Sequence, residues 1–279
     1  MHLIDPPSSF YFLYVEAKLH WGFACRLVPF GKSRLTLKIP PPSTLLGALA
    51  YPLARQLGWP EVILDDPGES AKSGADRVRK FLVSAHARMR FAPSIRSDIN
   101  RVFWYYFLKK EVRTDAIALE KVYANPLPGE EVPKIDIIYV IDTSQAEGAL
   151  GPRWPALLEI SAWAMTRVGQ KEGLITVEEV QLADAKLLNE EVVSTEFYFP
   201  LEASTGELEG SWIQEMFVDP WETGIGEYAG SRTRPFIVPF STVEQRPTEV
   251  KVRLSAEGVA LDCGGHTVVS LRRWLGYEG

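Results

Sequence analysis

Three consecutive prolines, Pro40-Pro41-Pro42, constrain this chain more than any other stretch. Each ring fixes φ and removes a backbone donor, so the run cannot lie inside a helix, but it can deliver the chain to a helix start in a set direction. The residues that follow, STLLGALAYPLARQLG, carry the helical stripe Leu45, Leu46, Leu49, Leu53 and Leu57. Ser43 or Thr44 is expected to cap this helix by accepting a hydrogen bond from a first-turn N–H. Before the prolines, Phe12 to Trp21 alternates, with Leu13, Val15, Ala17 and Leu19 on one face and Tyr14, Glu16, Lys18 and His20 on the other. That is the pattern of a half-buried strand. Gly22 to Lys38 joins strand to helix as a basic loop bearing Arg26, Lys32, Arg34 and Lys38. Cations facing a helix N-terminus suit an anion such as phosphate. The plainer alternative is an ordinary strand–loop–helix unit.

Charge is distributed unevenly. The net charge of −6 argues against nucleic acid for the chain as a whole. Yet residues 1–58 hold six Lys/Arg against two Asp/Glu, and residues 77–121 hold eleven against four. The remainder is left with 13 basic and 30 acidic residues. Screening confines such fields to about 8–10 Å, so a local basic surface can bind phosphates whatever the total. A mixed solvated surface is the alternative. With 279 residues, 46% of them hydrophobic, the chain can bury one large core or two modest ones. It has no apolar run of membrane-spanning length. The first ten residues lack the pattern of a signal peptide. Two cysteines, Cys25 and Cys263, form neither a disulfide framework nor a zinc site. The expectation is a cytoplasmic protein.

Residues 59–75 read as an acidic surface loop, and Asp76–Phe81 as a short helix. Leu82 to Phe91 alternates again, giving a strand with a polar, basic face of Ser84, His86, Arg88 and Arg90. Pro93 is expected to break it. Arg96, Arg101, Lys109, Lys110, Arg113 and Lys121 then surround the aromatic run Phe103 to Phe107. Rings and cations interleaved in this way can follow a single strand of nucleic acid; a buried strand or partner-facing patch would explain the rings equally well. Ile135 to Ile141 reads as a buried strand, Trp154 to Val168 as a helix, and Leu174 to Val180 as a strand. Gly169 between the last two fits a helix C-cap. EFYFP, FIVPF, TEVKVRL and HTVVSL mark short strands after residue 190.

Catalytic motifs are missing. Gly31-Lys32-Ser33 ends like a Walker loop, but Arg26 stands where a glycine is required. There is no H-E-x-x-H, G-x-S-x-G or C-x-x-C, and Cys263 with His266 is an incomplete ligand set.

The LHWGF and PPPSTLLGALAYPLA segments together resemble the start of the CRISPR-associated RAMP subunit of type I Cascade effectors, the fifth numbered Cas family. LHWGF is most similar to its type I-A, largely archaeal, branch. Arg167-Val168-Gly169-Gln170-Lys171-Glu172-Gly173-Leu174 resembles a second family segment, the glycine-rich loop before the last core strand. The resemblance implies an α+β fold. A ferredoxin-like or RRM-like (RAMP) domain would span residues 1–190, with a thumb-like insertion at about 94–132, and a smaller β-rich part would span 191–279. It implies a non-catalytic subunit that binds crRNA, caps the 5′ handle of the guide, and seats the large subunit and first backbone subunit in antiviral defence. Target DNA would be met only through the complex. No metal, cofactor or membrane is implied.

RNA contacts are expected from Lys18, His20, Trp21, Arg26, Lys32, Arg34, Lys38, Ser43, Thr44, Arg88, Arg90, Arg96, Arg101, Arg167 and Lys171. Some relatives cut precursor RNA without metal through a 2′-hydroxyl nucleophile, which makes His20 the enzymatic candidate and a processing endoribonuclease the alternative. In the type I-A branch a separate subunit does the processing. Outside the family, the remaining reading is a small-molecule-binding α+β protein.

Overall fold

The structure, a computed structural model, describes residues 10–25, 33–63, 72–106, 108–170, 172–225 and 232–277. The expected first strand is β1 (Phe10–Leu19). Two short strands follow it, β2 (Gly22–Phe23) and β3 (Ser33–Arg34), where a loop was expected. The helix α1 (Pro42–Leu57) starts on the proline run, with Pro41 as its N-cap. The expected cap by Ser43 or Thr44 is corrected: no side chain caps this helix. Pro42 takes the first helical position, so both hydroxyls already lie within the first turn, past the position from which a cap reaches back-to-front.

The stretch read as loop and short helix holds β4 (Val62–Ile63), β5 (Lys72–Ser73) and a 3-10 turn over Gly74–Lys80. Then come β6 (Leu82–Arg90), β7 (Ala92–Tyr106), β8 (Glu111–Asn125) and β9 (Lys134–Asp142). Pro93 does not break a strand: β6 already ends at Arg90, and Pro93 lies within β7, opposite Ala124. Two helices, α2 (Thr143–Leu150) and α3 (Trp154–Trp163), lead to β10 (Ile175–Leu188). α3 stops five residues before the expected Val168, and its C-cap is Ala164 rather than Gly169.

The remainder is nearly all strand. It comprises β11 (Val192–Thr195), β12 (Phe199–Pro200), β13 (Ser204–Glu209) and β14 (Trp212–Val218). After a short α4 (Pro220–Thr223) come β15 (Thr233–Ser241), β16 (Arg246–Pro247), β17 (Val250–Leu254), β18 (Gly258–Asp262) and β19 (Thr267–Leu271). The fold is mixed α/β, with mostly strands and few helices.

The central sheet runs β19-β18-β10-β1-β9-β6, and each neighbouring pair is antiparallel. Its first face is helical. Leu13, Val15 and Ala17 are wholly buried there beside Leu45, Leu49 and Leu53 of α1 and Leu158 of α3. Tyr139 donates its hydroxyl to the Leu45 carbonyl at 2.8 Å, and Gln56 of α1 bonds Ser161 of α3 at 3.0 Å. Burying each such apolar side chain stabilises by about 1.5–3 kcal/mol.

The second face lies under the residues that follow β11. Phe197 sits beneath the Arg88 guanidinium at 5.3 Å, His266 stacks on Tyr14 at 5.2 Å between ring centres, and Trp221 donates its indole N–H to the Leu82 carbonyl at 2.7 Å. His86 is completely buried in this layer, 3.0 Å from the Tyr198 carbonyl and 3.0 Å from Ser84 Oγ. Burial lowers its pKa from 6.5 to about 4, against the opposing pull of the Tyr198 carbonyl. The unfolded chain therefore binds a proton at this site before the folded protein does. Stability is expected to be full above pH 6.5 and to fall as the pH drops toward about 4. Urea titrations at stepped pH check this, and His86→Gln should flatten that part of the profile.

β7 and β8 form a long hairpin, in register from Ala92↔Asn125 to Tyr106↔Glu111. Fifteen residues per strand extend to about 50 Å. Among the described residues β7 pairs only with β8. β8 is tied at its base to β2 through Tyr123↔Gly22 and Val122↔Phe23, and to β3 through Ala118↔Ser33 and Leu119↔Arg34. Beyond the base, Ile99, Phe103 and Val112 are about 70% exposed, at 76%, 68% and 68%.

Candidate nucleic-acid interface

The turn that ends β1 builds one side of the site. Gly22 has φ +141°, and a Cβ placed there would lie 1.8 Å from the Val122 carbonyl oxygen. Only glycine lets β2 press against β8 at this point. The flanking backbone is then fixed, since Ala124 donates its N–H to the Trp21 carbonyl at 3.1 Å. The Trp21 side chain is left 67% exposed. It forms a cleft of about 440 Å³ with Lys121, Tyr123 and Leu174. His20 beside it bonds through Nε2 to Thr176 Oγ1 at 2.7 Å.

The second side is the start of α1. No side chain caps it and its first turn holds no carboxylate; Pro41 and Pro42 bring no N–H and Thr44 donates its own to the Pro41 carbonyl at 2.9 Å, so the start offers the Ser43 N–H and the positive end of the dipole. Ser43 and Thr44 line a larger cleft of about 710 Å³, shared with Tyr51, Arg167 and Gly169 and walled opposite by Met216, Val218 and Ile225. Ala24 and Glu172 line both clefts, so the two adjoin.

The loop carrying Arg167 is held tight. Val168 donates to the Gly173 carbonyl at 2.8 Å and Gly173 to the Gln170 carbonyl at 2.9 Å. A Cβ on Gly173 would meet the Val168 oxygen at 2.2 Å. Gly169, at φ +81°, approaches Cys25 so closely that a Cβ would lie 3.2 Å from its sulfur. Cys25 is buried, and burial pushes its thiol up to about 12 despite a hydrogen bond from Thr44. It is a packing residue and not a nucleophile.

The cations expected to meet RNA separate into two groups. Arg88 pairs with Asp136 at 2.5 Å and with Glu196. Arg90 pairs with Glu16, with Glu130 at 3.0 Å and with Asp136 at 3.7 Å. Lys18 pairs with Glu178, and Lys134 joins Glu16 and Glu178 at 2.6 and 2.9 Å. Together four cations and five carboxylates make one ion-pair network across β6, β9, β1 and β10. The expected basic face of β6 is therefore corrected: the residues after β11 cover it, and its arginines answer carboxylates of the same chain. Burial opposes the charge on Arg88, but Asp136 and Glu196 outweigh it and its pKa is raised. An RRM reads RNA on the exposed face of its sheet; here that face is covered.

Arg167 and Arg96 behave differently. Arg167 lies over the Tyr51 ring at 5.0 Å and Arg96 over Tyr123 at 5.4 Å. Among the described residues neither forms an ion pair, and both are exposed. The Lys38 ammonium lies 4.0 Å from Glu215, whose carboxylate also accepts a bond from the Lys38 backbone. Arg34 falls in β3 and Arg101 in β7. Arg26, Lys32 and Lys171 lie outside the described residues.

The structure thus gathers Trp21, Ser43, Thr44 and Arg167, which sequence reasoning singled out, around two adjoining clefts. It adds Tyr51, Tyr123, Met216 and Val218, which carried no signal of their own. A tyrosine inside an apolar helix stripe and a methionine on a remote strand reveal their position only after folding.

Comparison with known proteins identifies relatives. No protein-family model matches the chain. It is 30% identical over 263 residues to "CRISPR-associated protein Cas5 3" of Saccharolobus solfataricus, covering 91% of this chain and 97% of that protein. It is 31% identical over 263 residues to the same organism's "CRISPR system aCascade subunit Cas5 1", with the same coverage of 91% and 97%. In fold it is similar to a solved CRISPR protein from Archaeoglobus fulgidus, with TM-score 0.59 and 19% identity over 94% of this chain and 99% of that one.

Proposed function

This chain belongs to the Cas5 family of CRISPR-associated proteins, and from that premise we propose that it is a non-catalytic, guide-RNA-binding subunit of a type I-A Cascade effector. It caps the 5′ handle of the crRNA and seats the large subunit and first backbone subunit, meeting target DNA through the assembled complex. The strand order β10-β1-β9-β6, with α1 and α3 on one face, supports reading its core as ferredoxin-like.

One observation carries the RNA assignment. The uncapped start of α1, the Arg167 guanidinium with no carboxylate partner among the described residues, and the exposed Trp21 ring border two adjoining clefts. Helix amides and a cation receive phosphates, and an exposed ring stacks a base. Lys18, Arg88 and Arg90 hold the sheet together in this reading.

Binding of a single-stranded RNA copy of the cognate repeat is therefore expected to weaken steeply with salt, by on the order of tenfold between 50 and 200 mM if about three phosphates are neutralised. Arg167→Ala should weaken binding several-fold and make the salt slope shallower by about 0.7. Arg88→Met should leave the slope unchanged. Filter binding across a salt series checks all three, and a salt-independent affinity would overturn the proposal. The RNA should remain intact throughout. Metal-independent cleavage at one site, lost in His20→Ala, would instead establish the endoribonuclease reading, for which His20 stands exposed beside the cleft.

A further inference from the structure

The larger cleft has more room and more apolar surface than a phosphate requires. Its volume of about 710 Å³ lies within the range of sites for small organic ligands. Its two walls differ chemically. One carries Ser43, Thr44 and Arg167; the other is Met216 and Val218 of β14, with Ile225 beyond. Along β14 these two side chains alternate with Phe217, which is wholly buried. Met216 and Val218 are only half-buried, so β14 turns an apolar face into the cleft while its other face joins the core. Glu172 is the single carboxylate among the described lining residues, and it sits at the mouth shared with the smaller cleft.

We infer that this cleft takes one unstacked nucleobase of the bound RNA, seated against Met216 and Val218, with its own phosphate on the Ser43–Arg167 side. The inference rests on the RNA-binding reading above and adds a position at which the protein distinguishes a base from no base. A base swung out of its stack needs an apolar surface for its faces, and the cleft supplies one within reach of a phosphate site. The flexible thioether of Met216 conforms to a flat ring without demanding one base identity. Arg167, already over the Tyr51 ring, offers a guanidinium plane on which a base can also stack. The C-terminal part of the chain thereby joins the α1 helix start in holding RNA.

The test uses the full chain and a set of repeat RNAs, each with one abasic residue, moved through the sequence. One position is expected to cost about tenfold in affinity when its base is removed. In Val218→Trp the indole fills the base site, so intact RNA should bind as weakly as the sensitive abasic RNA, with the salt slope unchanged. Met216→Ala with Val218→Ala, which removes the wall without adding bulk, should shrink the tenfold difference to less than threefold. The base pocket is overturned if RNA binds with its full salt slope and no position is sensitive, or if the sensitive position persists in the double-alanine variant. Failure of the RNA-binding reading looks different: wild-type protein would then bind no RNA, or bind it independently of salt.

Discussion

A variant lacking residues 98–119, with Ser97 joined to Glu120 by a short Gly-Ser turn, is expected to fold as the parent does and to lose assembly with guide RNA and a neighbouring Cascade subunit. Ser97 and Glu120 face each other in the hairpin, so the cut closes across an existing pair. The anchor stays in place. Val122, 1% exposed, and Tyr123 still pair with Phe23 and Gly22, while the short β3 contact and the Lys121–Asp98 ion pair are lost. The excised part gives the core little, since Ile99, Phe103, Tyr105 and Val112 are all exposed. An extended ribbon with uncovered apolar side chains is a surface for another molecule rather than support for its own body. Thermal unfolding and co-purification with RNA and subunits check the two halves. A variant that unfolds would place the hairpin in the folding core; one that assembles normally would make it dispensable.

The second large effect concerns stability. Asp136→Ala is expected to lower it by about 3–5 kcal/mol, a fall in melting temperature on the order of 10 °C. The Asp136 side chain is completely buried and faces both Arg88 and Arg90. Removing it leaves two partly buried guanidinium groups short of a carboxylate, each with its water already stripped away. The exposed pair Lys251–Glu209, at 3.2 Å, is the contrast: Lys251→Ala should change stability by less than about 1 kcal/mol. Denaturant titrations of both variants measure the difference. Equal small losses would show that the network is solvated and that Arg88 and Arg90 are available to RNA.

That network also shows where the sequence was legible and where it was not. β1 and α1 could be read directly, because period-2 alternation and a leucine stripe are local signals. Arg88 and Arg90 looked like a basic face because alternation reveals that a strand has two faces, but not what lies over each. Their covering comes from Glu196, Phe197 and Tyr198, more than a hundred residues later. The segment 94–132 stood out by its length and mixed composition, whereas its two strands and their register did not, since register is set by pairing. Gly169 was read as a helix cap because a glycine after a helical stripe usually is one; the actual constraint is its approach to Cys25. Trp21, Ser43 and Arg167 stood out by residue type and neighbourhood. Met216 and Val218 did not, because nothing local marks which face of β14 is left open. The strands at 204–209, 212–218 and 258–262 escaped notice, being short and flanked by polar residues.

The order of strands in the central sheet has a consequence for how the protein is made. β1 leaves the ribosome long before β18 and β19, which finish its sheet. Until then the β10 segment Lys186–Leu188 has no partner, and the His86 layer waits for Tyr198 and Trp221. A chain stalled or truncated near residue 250 would thus hold a nearly complete helical layer on an unfinished sheet. Such a species offers an open edge to other nascent chains and to proteases, so quality control in the cell can sort full-length from interrupted copies by that edge alone.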